Sequence, residues 1–353
     1  MGNKININGR FLLQKRTGVQ RFAIEVCRHL VNECHADLDV YVANNNFDDP
    51  FDGKVEYIIP TRQTKSSFLY EQFILPFSCT GYLYSLGGSG PFLKAKQMVV
   101  IHDAGVWDTP YSYKFLFILK HRMLQRIYKF SGCGIATVSQ FSKNRLQKSL
   151  NLKRHILTLT NGWEHCKQIK LNIKKSLQGQ YKKNFVLVAS RGKHKGLLEF
   201  FATIEDDDRL SHFAFHIIGG RSMEFKNFQM NKADNIFMYD FVDDSVLYQY
   251  INSSNGLISP SLYEGFGIPP LEALYFRKKL VLNDIPVYRE LYSKVANFFQ
   301  IGNADSLYEA LISTGQEDYT TAREVALKKC SWATAAKLLL EGTNENYRST
   351  HLL

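Results

Sequence analysis

Glu264 and Glu272 bracket a glycine loop and a helix start in the stretch Ser259-Pro-Ser-Leu-Tyr-Glu-Gly-Phe-Gly-Ile-Pro-Pro-Leu-Glu-Ala-Leu274. Asn255 to Ser259 has the apolar content of a short buried strand, and Pro269 and Pro270 stand where a helix begins. Between them, Gly265, Phe266 and Gly267 let bare backbone N–H groups, those around Gly267 and Ile268 above all, come up to a ligand. A helix start behind such a loop attracts anions, because its first N–H groups lack partners and the dipole is positive there. Carboxylates repel phosphate but accept well from sugar hydroxyls. The element therefore suits a ligand with both, such as a nucleotide sugar. A glutamate in a first turn also simply complements the dipole, and glycines mark most turns; it is the combination that points to chemistry.

Four more segments carry candidate residues. Phe185 to Ala189 reads as a strand and runs into Ser190-Arg-Gly-Lys-His-Lys-Gly196 before a helix at Leu197. Arg191, Lys193 and Lys195 beside a helix start suffice for a diphosphate, although a solvated basic loop has the same composition. His102-Asp103 follows the apolar strand Gln97 to Ile101, at the end where open α/β sheets bind ligands; such a pair is also common as structure. Gly87-Gly88-Ser-Gly90 follows the strand-like Tyr82 to Leu86. It is no dinucleotide fingerprint, since Pro91 closes it and no helix follows. At the N-terminus, Thr17-Gly18 opens a helix after a short strand, the beginning of a βαβ unit, with Thr17 equally fitted to cap that helix.

Glu264-Gly-Phe-Gly-x-Pro-x-x-Glu272 resembles the Glu-x7-Glu signature of retaining GT-B glycosyltransferases, specifically glycosyltransferase family 4, the bacterial polysaccharide and glycolipid type. His102-Asp103 with Pro110, Val138-Ser-Gln-Phe-Ser-Lys143, Asn161-Gly162 and Ser331 to Leu340 resemble further segments of that family, and the likeness runs from Gly18 to Trp332. Thr160 replaces the family's usual proline, and Thr17 replaces one of its glycines. The resemblance implies an α/β protein of GT-B architecture, two doubly wound Rossmann-like domains facing each other across a cleft. Residues 1–170, completed by a C-terminal helix at about 331–353, would form the acceptor-side domain, and residues 171–330 the nucleotide-sugar-binding domain.

The same resemblance implies roles. Arg191 and Lys195 (or Lys193 in its place) would grip the donor diphosphate, with Gly18 beside it. Glu272 would accept from ribose hydroxyls and Glu264 from those of the transferred sugar. His102 would lie by the donor sugar, with Asp103 and Gly88 on the acceptor side. The catalytic set is then Glu264, His102, Arg191 and Lys195, and Gly265, Phe266, Gly267 and Ile268 join the donor-binding residues. The implied activity is a retaining hexosyl transfer from a nucleotide-diphosphate sugar to a saccharide or polyprenyl-linked saccharide, in O-antigen or capsule biosynthesis. The departing phosphate would take the acceptor proton during same-face attack. No cofactor and no metal are expected. Asp37-Leu-Asp39 has the Asp-x-Asp spelling of metal-dependent enzymes but lies at the start of a strand, the wrong end for ligands. Two rivals are a nucleotide-sugar epimerase of the same fold and a non-catalytic nucleic-acid-binding module; no nucleic-acid motif is present, so no nucleic acid is expected as partner.

The elements that must position these residues alternate strand and helix through 353 residues of 45% hydrophobic content, as doubly wound parallel sheets require. Six cysteines without CxxC pairing fit a reduced, cytoplasmic protein. No apolar run approaches the ~18 residues of a membrane span. The net charge of +11 is one-sided: residues 1–170 hold 23 Lys and Arg against 12 Asp and Glu, while residues 171–353 hold 21 of each. Thr109 to Trp163 contains ten cations and no acid. Within it, Ser112 to Phe130 reads as a helix with a wide aromatic face. It would either pack on the sheet or, with Lys120, Arg122, Arg126 and Lys129, lie on an anionic membrane at the inner face of the cytoplasmic membrane.

Overall fold

Short runs of Val, Ile, Leu and Phe, apolar on both faces, give the chain its strands, because parallel strands are covered by helices on either side. The computed structural model describes residues 4–169, 177, 181–188, 192–205, 207–219, 234–313 and 319–350. It divides into two units, one made of Met1–Pro110, Lys114–Gly162 and Ser331–Leu353, the other of Tyr111–Tyr113 and Trp163–Cys330.

The first unit holds seven strands: β1 (Ile5–Asn8), β2 (Leu38–Tyr41), β3 (Glu56–Ile58), β4 (Leu83–Ser85), β5 (Gln97–Val100), β6 (Gly134–Thr137) and β7 (Leu157–Thr158). They lie in the order β3-β2-β1-β4-β5-β6-β7, all parallel. The second holds six: β8 (Lys183–Val188), β9 (Phe213–Ile218), β10 (Ile236–Tyr239), β11 (Gly256–Ser259), β12 (Lys279–Asn283) and β13 (Ala296–Phe299). Their order is β10-β9-β8-β11-β12-β13, again all parallel. Both sheets are doubly wound, as the strand–helix alternation predicts. Strand order reverses between β1 and β4 in the first and between β8 and β11 in the second. A reversal opens a crevice at the strands' C-terminal ends, where ligands of such sheets bind.

Several details differ from the sequence reading. The chain passes between units after Gly162 rather than near residue 170, because Trp163 belongs to the second unit: its indole donates to the Leu327 carbonyl at 2.9 Å and stacks on Tyr275 at 4.7 Å. Arg10 to Arg16 reads in the sequence as a polar loop, but Gly9–Leu13 forms a 3-10 helix. The helix expected from Ser112 is Phe115–Phe130, preceded by a separate 3-10 turn, Pro110–Ser112. Only Leu124, Gln125 and Tyr128 of that helix are buried. The last helix, Trp332–Thr350, packs with the first unit: Trp332 is fully buried and meets Phe22 edge to face at 5.8 Å.

Candidate active site

The reversal between β8 and β11 carries the signature loop. β11 ends at Ser259, and the helix Ile268–Tyr275 starts from Gly267, whose φ of +97° is left-handed and suits glycine. A Cβ there would meet Tyr288 Cε1 at 2.6 Å, so glycine is also the residue that fits. Tyr292, one turn further along the helix Pro286–Tyr292, donates from its hydroxyl to the Gly267 carbonyl at 2.7 Å. Two buried tyrosines thus clamp the loop from beneath. Pro269 and Pro270 occupy the helix's first turn and bring no N–H, so the donors at this end are concentrated at Gly267 and Ile268. Phe266 is a core residue, and only its backbone is available to a ligand.

Lys195 Nζ donates to Glu264 Oε1 at 2.6 Å, which joins two candidates from separate segments. Ser261 Oγ donates to the same oxygen at 2.9 Å, and the Tyr288 hydroxyl, 2.6 Å from Ser259 Oγ, lies 3.4 Å from it. Burial pushes the Glu264 carboxyl upward, but the Lys195 ammonium and the bonds from Lys195 and Ser261 outweigh that and hold it below the usual carboxylate range. The carboxylate is therefore ionised at neutral pH. Lys195 owes its place to Gly196. That residue has φ +66°, and a Cβ on it would sit 2.1 Å from the Pro260 carbonyl. The His194 carbonyl, in turn, accepts from Leu262 N at 2.8 Å and holds the basic loop against the signature loop. Lys195, Glu264, Ser259, Ser261, Pro269 and Pro270 line one pocket over the β8/β11 crevice. Lys193 is exposed. Arg191 lies outside the described residues.

Glu272 is placed differently. It is 2% exposed and does not line that pocket. Its Oε1 accepts from the Tyr248 hydroxyl at 2.8 Å and lies 2.9 Å from His165 Nε2, with Cys166 Sγ 3.7 Å from the same nitrogen. An i, i+8 spacing on a helix begun by a loop turns the second carboxylate away from the first. His165, Cys166 and Glu272 are also the one group of potential metal ligands among the described residues, with ligand atoms within 4.8 Å of one another. Their hydrogen-bond spacing describes a buried polar cluster that fastens the helix to the 3-10 turn Glu164–Gln168. Sequence reasoning missed His165 because no motif marks it: it stands just before the polar, Lys-rich stretch 166–183 that reads as a linker.

Within the first unit, His102 follows β5, and its Nε2 lies 3.0 Å from the Leu86 carbonyl, while its ring meets Phe22 edge to face at 4.9 Å. Burial drives its pKa down to about 4, so the imidazole is neutral, with Nε2–H donating to Leu86. Gly88, at φ +86°, borders His102 and Val19, next after Gly18. Three first-unit candidates thus gather near the C-terminal ends of β4 and β5. Asp103 Oδ1 accepts from Gly105 N at 2.6 Å and serves the turn into the next short helix. Gly18 is exposed at the start of the helix Gly18–Asn32, where Thr17 N donates to Gln20 Oε1 at 3.2 Å.

Two doubly wound parallel sheets, the second with a glycine-loop pocket at its strand reversal, are the fold of GT-B proteins. Residues 169–324, the span that holds Glu264 and Glu272, match the family described as Glycosyl transferases group 1. The chain is 24% identical over 231 residues to the O-antigen chain mannosyltransferase RfbU of Salmonella typhimurium, covering 63% of this chain and 61% of that relative. It is 30% identical over 120 residues to the serotype-specific mannosyltransferase WbdA of Escherichia coli, covering 32% of this chain and 14% of that one. The chain thus spans less than two thirds of these relatives. Sucrose-phosphate synthase from Thermosynechococcus elongatus shares the fold with a TM-score of 0.67 over 98% of this chain and 99% of that chain, at 13% identity. WaaG, a glycosyltransferase involved in lipopolysaccharide biosynthesis, does so with a TM-score of 0.63 over 95% and 97%, also at 13% identity.

Proposed function

We propose that the protein is a retaining hexosyltransferase of surface-polysaccharide biosynthesis that moves a sugar from a nucleotide-diphosphate donor to a saccharide or polyprenyl-linked saccharide. The observation that carries this reading is the Lys195–Glu264 pair in the pocket at the β8/β11 reversal. Donor binding exchanges that internal pair for two external ones: Lys195 turns to the diphosphate, and Glu264 accepts from hydroxyls of the sugar. In the reaction the bond from the anomeric carbon to the phosphate oxygen breaks through an oxocarbenium-like state. The acceptor oxygen attacks from the same face, and its proton passes to the departing phosphate. Lys195 and the N–H groups at Gly267 and Ile268 stabilise the charge that grows on the leaving group. His102, a neutral imidazole, offers a hydrogen bond to a sugar hydroxyl; it and Gly18 enter this reading through the resemblance alone. Glu272 supports the signature helix from behind.

A screen of nucleotide sugars tests the reading, with mannosyl donors first because both named relatives are mannosyltransferases. Turnover of at least one donor, lost in Glu264→Gln, is expected; no turnover across the panel, with GDP and UDP failing to raise the Tm, would overturn it. Side-chain cations neutralise the diphosphate in this scheme, so activity should survive EDTA. Retention is read from the anomeric configuration of the product by NMR.

We place the protein at the inner face of the cytoplasmic membrane. No helix among the described residues is long and apolar enough to cross a membrane. The helix Phe115–Phe130 nevertheless leaves Phe115 and Leu116 about three-quarters exposed, at 74% and 76%, beside half-exposed Leu119 and Met123. Arg122 and Arg126 lie over the Trp107 ring at 4.8 and 5.0 Å, Arg122 donates to the Val106 carbonyl, and Lys129 lies over the Phe130 ring at 5.1 Å, so exposed Lys114 is the freer cation for lipid. Sedimentation with phosphatidylglycerol vesicles but not phosphatidylcholine vesicles is the expected result.

A further inference from the structure

The donors that reach Glu264 converge on one of its two oxygens. Oε1 accepts from Lys195 Nζ at 2.6 Å and Ser261 Oγ at 2.9 Å, with the Tyr288 hydroxyl 3.4 Å away; among the described residues no hydrogen bond reaches Oε2. We propose that Ser261 and Tyr288, both outside the Glu264–Glu272 signature, are positioning residues that hold Glu264 in place once Lys195 has turned to the diphosphate. This rests on the glycosyltransferase reading and adds to it how the site stays assembled while a donor enters.

A largely buried carboxylate that loses its ammonium partner takes up a proton or swings away unless other donors keep it charged. Hydroxyl donors on Oε1 do that and leave Oε2 to the sugar. Tyr288 is fully buried on the helix Pro286–Tyr292, so it acts only through its neighbours. Its hydroxyl lies 2.6 Å from Ser259 Oγ, which lies 3.4 Å from Ser261 Oγ. Ser261 spends its single proton on Glu264, so either order of donation along this chain runs protons toward the carboxylate. Burial, then the charge of Glu264, push the Tyr288 hydroxyl well above the usual tyrosine range, and it remains a donor. Ser261 is fixed in turn by Asn283 at the end of β12. Asn283 Nδ2 donates to the Ser261 carbonyl at 3.0 Å, and its Oδ1 accepts from Ile301 N at 3.1 Å. The Tyr288 ring also fills the space that a Cβ on Gly267 would need, 2.6 Å from Cε1. One buried side chain therefore sets the carboxylate with its hydroxyl and the anion-binding N–H groups with its ring.

Tyr288→Phe separates the two, because it keeps the ring beneath Gly267 and removes only the hydroxyl. With a donor that the wild type turns over, kcat should fall about tenfold, the loss of one hydrogen bond. The Kd for GDP or UDP, measured by calorimetry, should change by less than about twofold. On a Glu264→Gln background the same substitution should cost nothing further, since the group it positions is gone. Ser261→Ala should raise the titration of the Glu264 carboxyl, followed by carboxyl-carbon NMR with Glu264→Gln identifying the resonance. That measurement needs no donor, so it reads the arrangement even where a nucleotide-sugar screen finds no turnover and the glycosyltransferase reading fails. An unchanged kcat in Tyr288→Phe, a loss of nucleotide affinity equal to the loss of kcat, a full further loss on Glu264→Gln, or an unshifted Glu264 titration in Ser261→Ala overturns the proposal.

Discussion

At the strand reversal of the second sheet, one lysine and one glutamate neutralise each other through a 2.6 Å bond. At the reversal of the first, Arg10 pairs with Glu71 at 2.7 Å, and Arg10 and Lys120 both lie by the Phe68 ring. The topology is the same, yet the acid of the first pair is saturated from within, since it also accepts from Asn8, Gln72 and Ser89. A self-neutralised pair costs the ligand-free protein little and waits for a ligand that satisfies both partners at once, cation to phosphate and carboxylate to hydroxyls. An acid held by four neighbours instead fastens the segment that follows β1. The difference teaches that the pair in the second crevice can exchange partners, while the pair in the first is locked by its surroundings. Only the former leaves a spelled signature in the sequence.

Breaking the neutralised pair should have the largest consequence. Glu264→Gln keeps shape and volume but removes the charge, and kcat should fall about a hundredfold or more, while the Tm moves by no more than about 4 °C. Steady-state kinetics beside a thermal melt checks both, and near-normal turnover would remove Glu264 from the mechanism.

Gly196→Ala attacks the same pair through the backbone. A Cβ 2.1 Å from the Pro260 carbonyl, at φ +66°, should destabilise the fold by about 1–3 kcal/mol. It should also weaken nucleotide binding by displacing Lys195. Denaturant midpoints with and without GDP or UDP separate the two effects.

Glu272→Gln sharpens the contrast between the two signature carboxylates. Since Glu272 is held by His165 and Tyr248 rather than set in the pocket, the variant should lose about 1–3 kcal/mol of stability with kcat little changed. A variant with an unaltered Tm and a selective loss of nucleotide affinity would instead return Glu272 to the ribose.

The smallest effect is a pH dependence. Burial depresses His121 and His102 of the first unit to about 4. Unfolding restores them to about 6.5, so in this window the unfolded chain binds more protons. Their contribution is fully present above pH 6.5 and is lost as pH falls toward 4. His121→Gln should flatten that limb of the stability curve. Glu264, depressed by Lys195 against its own burial, contributes only above the unfolded carboxylate value near 4.5 and loses its contribution below it. Melts of Glu264→Gln between pH 5 and 7 should therefore parallel the wild type.

The same contrast explains what the sequence made legible. The Glu264 loop and the Lys195 loop are each local patterns of glycine, charge and helix start, and both lie beside strands whose apolar runs are plain, so their meeting could be anticipated. His165 and Glu272 are far apart in the chain, and nothing local marks a histidine in a polar stretch as the partner of a helix glutamate. Arg10 and Lys120 each read as ordinary surface cations; their association depends on Phe68, a residue with no signature of its own. β13 was missed because Ala296-Asn-Phe-Phe299 is short and mixed in polarity. The helix Phe115–Phe130 was legible as a helix with a broad apolar face, but what that face meets was not: only three of its residues are buried.

The helix Trp332–Thr350 lies against the helix that opens at Gly18, with Trp332 buried beside Phe22. During synthesis, residues 163–330 emerge as an almost unbroken stretch and can close their own sheet at once. The earlier-made half must wait, with an apolar face uncovered, until residues 331–350 have left the ribosome. A stop codon or a bulky tag near residue 331 would thus injure the N-terminal half of the protein first. Limited proteolysis of such a truncated chain should leave the stretch from Trp163 to Cys330 as the surviving fragment.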